Sequence, residues 1–187
     1  MQKHAILIMA HNQYDILEKL LIMLDHERND IYIHIDRKSG FFDEEHFKQL
    51  CHHSRVTFIP RKRLHWGHSS LVECELDLME AAVSSGETYC YFHLLSGVDL
   101  QIKHTEEIHR FFDEHPDWSL GGHMRLIDRE RSEGASPHTF TMEDWEMIEQ
   151  CPYFWARKFD MSRDSEVIEK VYNTWRSEGE AAGGLAI

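Results

Sequence analysis

Tyr91-Phe92-His93-Leu94-Leu95-Ser96-Gly97-Val98-Asp99 is an apolar run that ends abruptly in Ser, Gly and a carboxylate. Strands rich in aliphatic and aromatic residues and closed by turn residues belong to buried sheets. In open α/β sheets, ligands lie against the carboxyl ends of such strands. Two further runs close in the same manner. Ile31-Tyr32-Ile33-His34-Ile35 ends in Asp36-Arg37-Lys38, and His4 to Ala10 ends in His11-Asn12. Three strand ends therefore offer hydrogen-bonding groups to one crevice.

Outward from these runs, helix and strand patterns alternate. Asn12 is placed to cap a helix over 13–25, in which Ile16, Leu17, Leu20, Leu21 and Leu24 recur at three and four residues. A short helix over 43–51 follows the second strand, with Phe42, Phe47 and Leu50 inward, and 56–59 reads as a strand. A longer helix reaches to Ser84, capped by Ser69 or Ser70, with Leu71, Val72, Leu76, Met79 and Val83 as the expected inner face. After the 88–95 strand, Thr105 is the expected cap of a helix reaching Glu114. The alternation is that of right-handed parallel crossovers, and predicts an α/β domain.

Beyond His115-Pro116-Asp117 the pattern loosens. A strand over 123–127, a short helix over 142–150, an aromatic turn at Pro152-Tyr153-Phe154-Trp155 and a helix over 164–176 are expected, with 177–187 frayed. An α/β region is assigned to 1–120 and the rest of the same domain to 121–178. The tail is 179–187.

Composition bounds the partners. With 20 Lys and Arg against 33 Asp and Glu, the formal charge of −13 speaks against nucleic-acid binding, which needs a basic footprint. The four cysteines, Cys51, Cys74, Cys90 and Cys151, lack CxxC spacing; Cys74 and Cys90 fall in apolar patterns, which suggests reduced, buried thiols and a cytoplasmic setting. The apolar run from Ala5 to Ala10 is shorter than a signal-peptide core or a membrane span, so any membrane contact is expected to be peripheral, at the inner face.

Several positions carry candidate chemistry. Asp36 suits a ribose hydroxyl or base edge, or equally the capping of its own turn. His11 sits where a base or ribose would reach it. Trp66, in Trp66-Gly67-His68-Ser69, offers an aromatic face at a helix start, for a sugar ring or for packing. Arg125 and the pair Arg157-Lys158 are cations flanked by apolar residues, suited to clamping a diphosphate or to ordinary ion pairs. Cys51-His52-His53 and His65-x-x-His68 do not have the paired spacing of a zinc site, and no metal is expected.

The strings His4–Asn12, Ile33–Lys38, Trp66–Ser69 and Leu94–Lys103, in this order, resemble the core-2/I-branching glycosyltransferases. These are the β-1,6-N-acetylglucosaminyltransferases together with the peptide O-xylosyltransferases, and short bacterial members are the best likeness. Met124–Asp128, Pro137–Thr141 and Pro152–Asp160 resemble the C-terminal end of the same family. The resemblance implies a GT-A-like, Rossmann-like three-layer α/β/α sheet domain in shortened form. It further implies inverting, metal-independent transfer of GlcNAc or xylose from a UDP-sugar to a glycan or glycoprotein, with the donor as the sole cofactor-like ligand.

On this resemblance Met9, His11 and Asp36 contact the uridine, and Arg125 and Lys158 hold the diphosphate. Ser96 and Asp99 lie near the transferred sugar and the acceptor, and Trp66 is a further substrate-binding candidate. Family members also carry an intervening segment with an Asp-Glu pair whose Glu is the general base. Here 117–122 joins the two blocks directly, and that Glu has no counterpart. Asp99 is left as the candidate substitute, with a binding protein that has lost catalysis as the alternative.

Overall fold

In the computed structural model the described residues are 2–65, 67–115, 155–156 and 159–181. The chain divides into two compact units, Met1–Leu100 and Gln101–Ile187.

The first unit is built on a parallel sheet of β1 (Lys3–Ala10), β2 (Asn29–Ile35), β3 (Arg55–Phe58) and β4 (Tyr89–Ser96), in the order β3-β2-β1-β4. The sequence-predicted α/β class is the observed one. Its helices are α1 (Tyr14–Leu24), α2 (Glu44–Gln49) and α3 (Ser70–Val83). Both faces of β1 are buried, which is why the strands read as near-continuous apolar runs rather than alternating ones. Ala5 and Leu7 pack with Tyr32, Cys74, Leu78 and Ala82 beneath α3. Ile6, Ile8 and Ala10 turn to the opposite face, where Leu17 of α1 comes close to the end of β4.

Three local expectations are corrected. No side chain caps α1: Gln13, not Asn12, holds the cap position in a left-handed conformation (φ 54°, ψ 48°), and its carbonyl accepts the first helical N–H bonds from Ile16 and Leu17. The sharp exit from β1 is thus made by the backbone. The inner face of α3 is Cys74, Leu78 and Ala82, flanked by Leu71 and Met79, while Val72, Leu76 and Val83 are 58%, 58% and 67% exposed. Small residues let α3 settle close on the sheet, and that stripe won over the bulkier one. Cys90 is exposed rather than buried, whereas burial pushes the Cys74 and Cys51 thiols up to about 12.

The amino ends of all four strands are joined by one polar cluster. Asp30, 2% exposed, accepts from Lys3 Nζ (3.3 Å), Arg55 Nη2 (3.1 Å) and Tyr89 Oη (2.6 Å). Tyr32 Oη lies 2.8 Å from Tyr89 Oη, and Arg55 Nη2 donates to both phenols. A buried carboxylate with two cations and a phenol is well compensated, and the phenol is held protonated, its pKa raised first by burial and then by Asp30.

The second unit begins within β5 (Leu100–Gln101), which pairs with β6 (Trp155–Ala156), and continues with α4 (Thr105–Glu114) and α5 (Met161–Ala181). Trp155 therefore lies in a strand rather than a turn. His104, not Thr105, takes the cap position of α4; the Thr105 hydroxyl instead accepts from Gln101 Nε2 at 2.9 Å. α5 runs past Arg176 to Ala181, so the chain at 177–181 is helical rather than frayed. Its start is fixed reciprocally. Asp160 Oδ1 accepts from Ser162 N (2.9 Å), while Asp164 Oδ2 accepts from Asp160 N (2.9 Å). The expected strand over 123–127 and helix over 142–150 lie outside the described residues.

Candidate functional site

The strand order places the reversal of connection at β1 and β4: from β1 the chain passes to β2 on one side, and from β3 it returns to β4 on the other. At such a switch point the loops beyond the two strand ends diverge and leave a crevice. Met9 is the register partner of Ser96, and Ala10 that of Ile35. The sequence candidates Met9, His11, Asp36, Ser96 and Asp99 are thereby collected along one sheet edge. Trp66, Arg125 and Lys158 lie outside the described residues.

Backbone hydrogen bonds fasten the three strand ends together. Gly97 N donates to Met9 O (2.9 Å), Asp36 N to Ala10 O (2.8 Å), and Arg37 N to Lys62 O (2.9 Å). Gly97 is the residue that allows the closest approach. A Cβ there would stand 2.5 Å from Ala10 Cβ, closer than side chains come, and 3.1 Å from Ala10 Cα. The glycine of the opening stretch is thus explained by contact with the end of β1.

Asp36 is buried, and its Oδ1 accepts from Lys38 N at 2.9 Å, capping the short 3-10 turn Arg37–Ser39. The capping reading of Asp36 is realised at one oxygen. The other has no hydrogen-bond partner among the described residues, so a hydroxyl donor can be received there. Asp99 is 1% exposed, and its Oδ2 accepts from Ser96 N at 2.8 Å while its own N–H donates to Ser96 O at 3.0 Å. The carboxylate closes the 96–99 turn. Met9 is half-buried against the core under α3, and His11 is exposed beyond the strand end.

Two residues that sequence reasoning passed over complete the edge. Arg61 reaches back to the carbonyls of Ile35 (Nε, 3.3 Å) and Asp36 (Nη2, 2.9 Å), so a guanidinium fixes the end of β2. His34 Nε2 accepts from Lys62 N at 2.9 Å. Its pKa is lowered, by burial first, against the opposing pull of Asp36 and Asp77, and the neutral ring is the form that accepts that bond. The basic run Arg61-Lys62-Arg63 was the signal for Arg61; nothing local to His34 marked it. Lys38 Nζ donates to Leu64 O, tying this edge to the segment that leads into α3.

A sequence model of the Core-2/I-branching enzyme family matches residues 5–169. The chain belongs to the Core-2/I-branching enzyme family. The match spans both units and includes all three strand ends described above. Xylosyltransferase 2 of Rattus norvegicus and that of Mus musculus are each 29% identical over 103 residues. The aligned part covers 54% of this chain and 12% of each relative. This Core-2/I-branching enzyme chain thus aligns with about an eighth of each curated protein it matches. Among its described residues no group of His, Cys, Asp and Glu is arranged to hold a metal ion, and no helix is long and apolar enough to cross a membrane.

Proposed function

We propose that the chain is a glycosyltransferase that binds a UDP-sugar along the carboxyl edge of β1, β2 and β4 and transfers GlcNAc or xylose to a glycan or glycoprotein. The observation that carries this reading is the convergence of Met9, His11, Asp36 and Ser96 at the switch point of a parallel sheet in a member of this family. Asp36 receives a uridine or ribose donor at its unpartnered oxygen. Arg125 and Lys158 neutralise the diphosphate as the sugar–phosphate bond breaks, the electrostatic task that a metal performs elsewhere.

Inverting transfer requires the acceptor oxygen to attack the anomeric carbon opposite the departing UDP while a carboxylate takes its proton. Asp99 is committed to the Ser96 N–H and buried. That commitment favours a second reading, UDP-sugar or glycan binding without turnover.

Calorimetry with UDP on the full chain tests the donor site. Lys158→Glu is expected to abolish binding, and Asp36→Ala to weaken it about tenfold, the loss of one charge-assisted hydrogen bond. Unchanged affinity in both variants would overturn the assignment. UDP release from UDP-xylose or UDP-GlcNAc in the presence of an acceptor then separates the enzyme from the binder.

A further inference from the structure

Past Ile33 the ladder between β2 and β3 runs out. Ile59 N donates to Ile33 O at 2.9 Å, and in a parallel ladder the next bond, to Ile35 O, falls to the main-chain N–H of residue 61. Pro60, with its fixed φ and no N–H, stands between the two. The bond to Ile35 O is made instead by the Arg61 side chain, from Nε at 3.3 Å, and Nη2 of the same guanidinium donates to Asp36 O at 2.9 Å. One planar group therefore spans two consecutive carbonyls at the strand end that carries Asp36.

The base from which Arg61 reaches is itself tied down. Lys62 N donates to His34 Nε2 (2.9 Å), Lys62 O accepts from Arg37 N (2.9 Å), and Lys62 Nζ is paired with Asp77 of α3. Asp36 is held at three points in turn. Its N–H donates to Ala10 O (2.8 Å), its carbonyl accepts from Arg61, and its Oδ1 accepts from Lys38 N (2.9 Å). The second carboxylate oxygen is left with a set direction, and a group fixed in advance loses little freedom when it takes a hydroxyl. With the two carbonyls released, the peptide after Asp36 can rotate and the carboxylate moves with it. An arginine suits this task because its fork carries N–H donors at fixed spacing, whereas a lysine ammonium is a single point of charge.

We propose that Arg61 is a positioning residue of the donor site: touching no donor atom itself, it holds the Ile35 and Asp36 carbonyls so that the second oxygen of Asp36 is aimed at the nucleoside. The inference rests on the donor reading of Asp36 and adds to it a residue that acts only through Asp36.

The test is a double-mutant cycle on the full chain, read by calorimetry with UDP at a temperature well below unfolding. Asp36→Asn keeps an acceptor for Lys38 N and loses the second one, and should weaken UDP about tenfold. Arg61→Gln should weaken it by a similar factor, and the double variant no more than Asp36→Asn alone, since a residue that works through Asp36 has nothing left to position. Arg61→Lys keeps the charge and covers the case in which Arg61→Gln does not fold; it should bind UDP several-fold more weakly than the parent chain. Wild-type affinity in either Arg61 variant would overturn the proposal. So would an additive, about hundredfold loss in the double variant, because Arg61 would then act on the donor by another route. UDP affinity left intact by Asp36→Asn would overturn the donor reading itself, a result distinct from additivity, which strikes Arg61 alone.

Discussion

At Gly97 a missing side chain decides how close two strand ends can come. Ala10 fills the space where a Cβ would project, and the Gly97 N–H is bonded to Met9 O. Gly97→Ala must push the end of β4 from β1, and is expected to destabilise the fold by about 1–3 kcal/mol, the usual cost of overpacking. Urea unfolding measures it, and wild-type stability in the variant would refute the close approach. The Ser-Gly-x-Asp ending was visible in the sequence as a strand terminus, but the reason for its glycine was not, because Ala10 lies 87 positions away in the chain. Asp36 was legible in both of its readings, and the structure realises the capping one at Oδ1. The fate of Asp99 was not legible: its carboxylate is spent on a neighbouring N–H, a bond that any Asp three residues after a Ser can make or forgo.

Elements were read correctly wherever a long apolar run or a strong helical period marked them, and misread where two patterns competed. In α3 both Leu71/Cys74/Leu78/Ala82 and Val72/Leu76/Val83 are stripes at helical spacing, and of the expected inner face Leu71 and Met79 do pack against the core. Periodicity alone ranks the bulkier one higher; the sheet accepts the smaller. Leu78→Ala is therefore expected to cost about 2–5 kcal/mol, whereas Leu76→Ala should stay within about 0.5 kcal/mol. Comparing the two by denaturant unfolding tests which face is inward, and equal losses would contradict the observed orientation. Two cap assignments failed for a related reason, whereas Ser69 does hold the cap position of α3, without a side-chain bond. Asn12 and Thr105 have the right chemistry, but the chain turns one residue later at Gln13 and one residue earlier at His104. At the other end of the sheet, Tyr89→Phe removes a donor from buried Asp30 and should cost about 1–3 kcal/mol, read as a lowered unfolding midpoint.

For the whole molecule, buried histidines link stability to pH. His93 is packed 2.9 Å from His4, and burial, followed by the charge of His4, pushes its pKa from 6.5 down to about 3. His34 is shifted in the same direction. Between pH 6.5 and about 3 the unfolded chain binds more protons than the folded one, so stability present above pH 6.5 drains away on acidification. The slope is at most about 1.4 kcal/mol per pH unit for each group. Unfolding free energies across that window should show it, and His93→Gln should flatten it; an unaltered slope would show that the buried imidazole is not the source. The sequence by itself determined the α/β class, the succession of strands and helices in the first hundred residues and the edge at which Met9, His11, Asp36 and Ser96 lie. These follow from local period and from the rule that crossovers are right-handed. Only the tertiary structure decided which stripe of α3 is buried, why residue 97 is glycine, and that Arg61 and His34 brace the end of β2. Each of those depends on atoms brought together from distant parts of the chain, where packing distance and hydrogen-bond partners, rather than residue type, set the outcome.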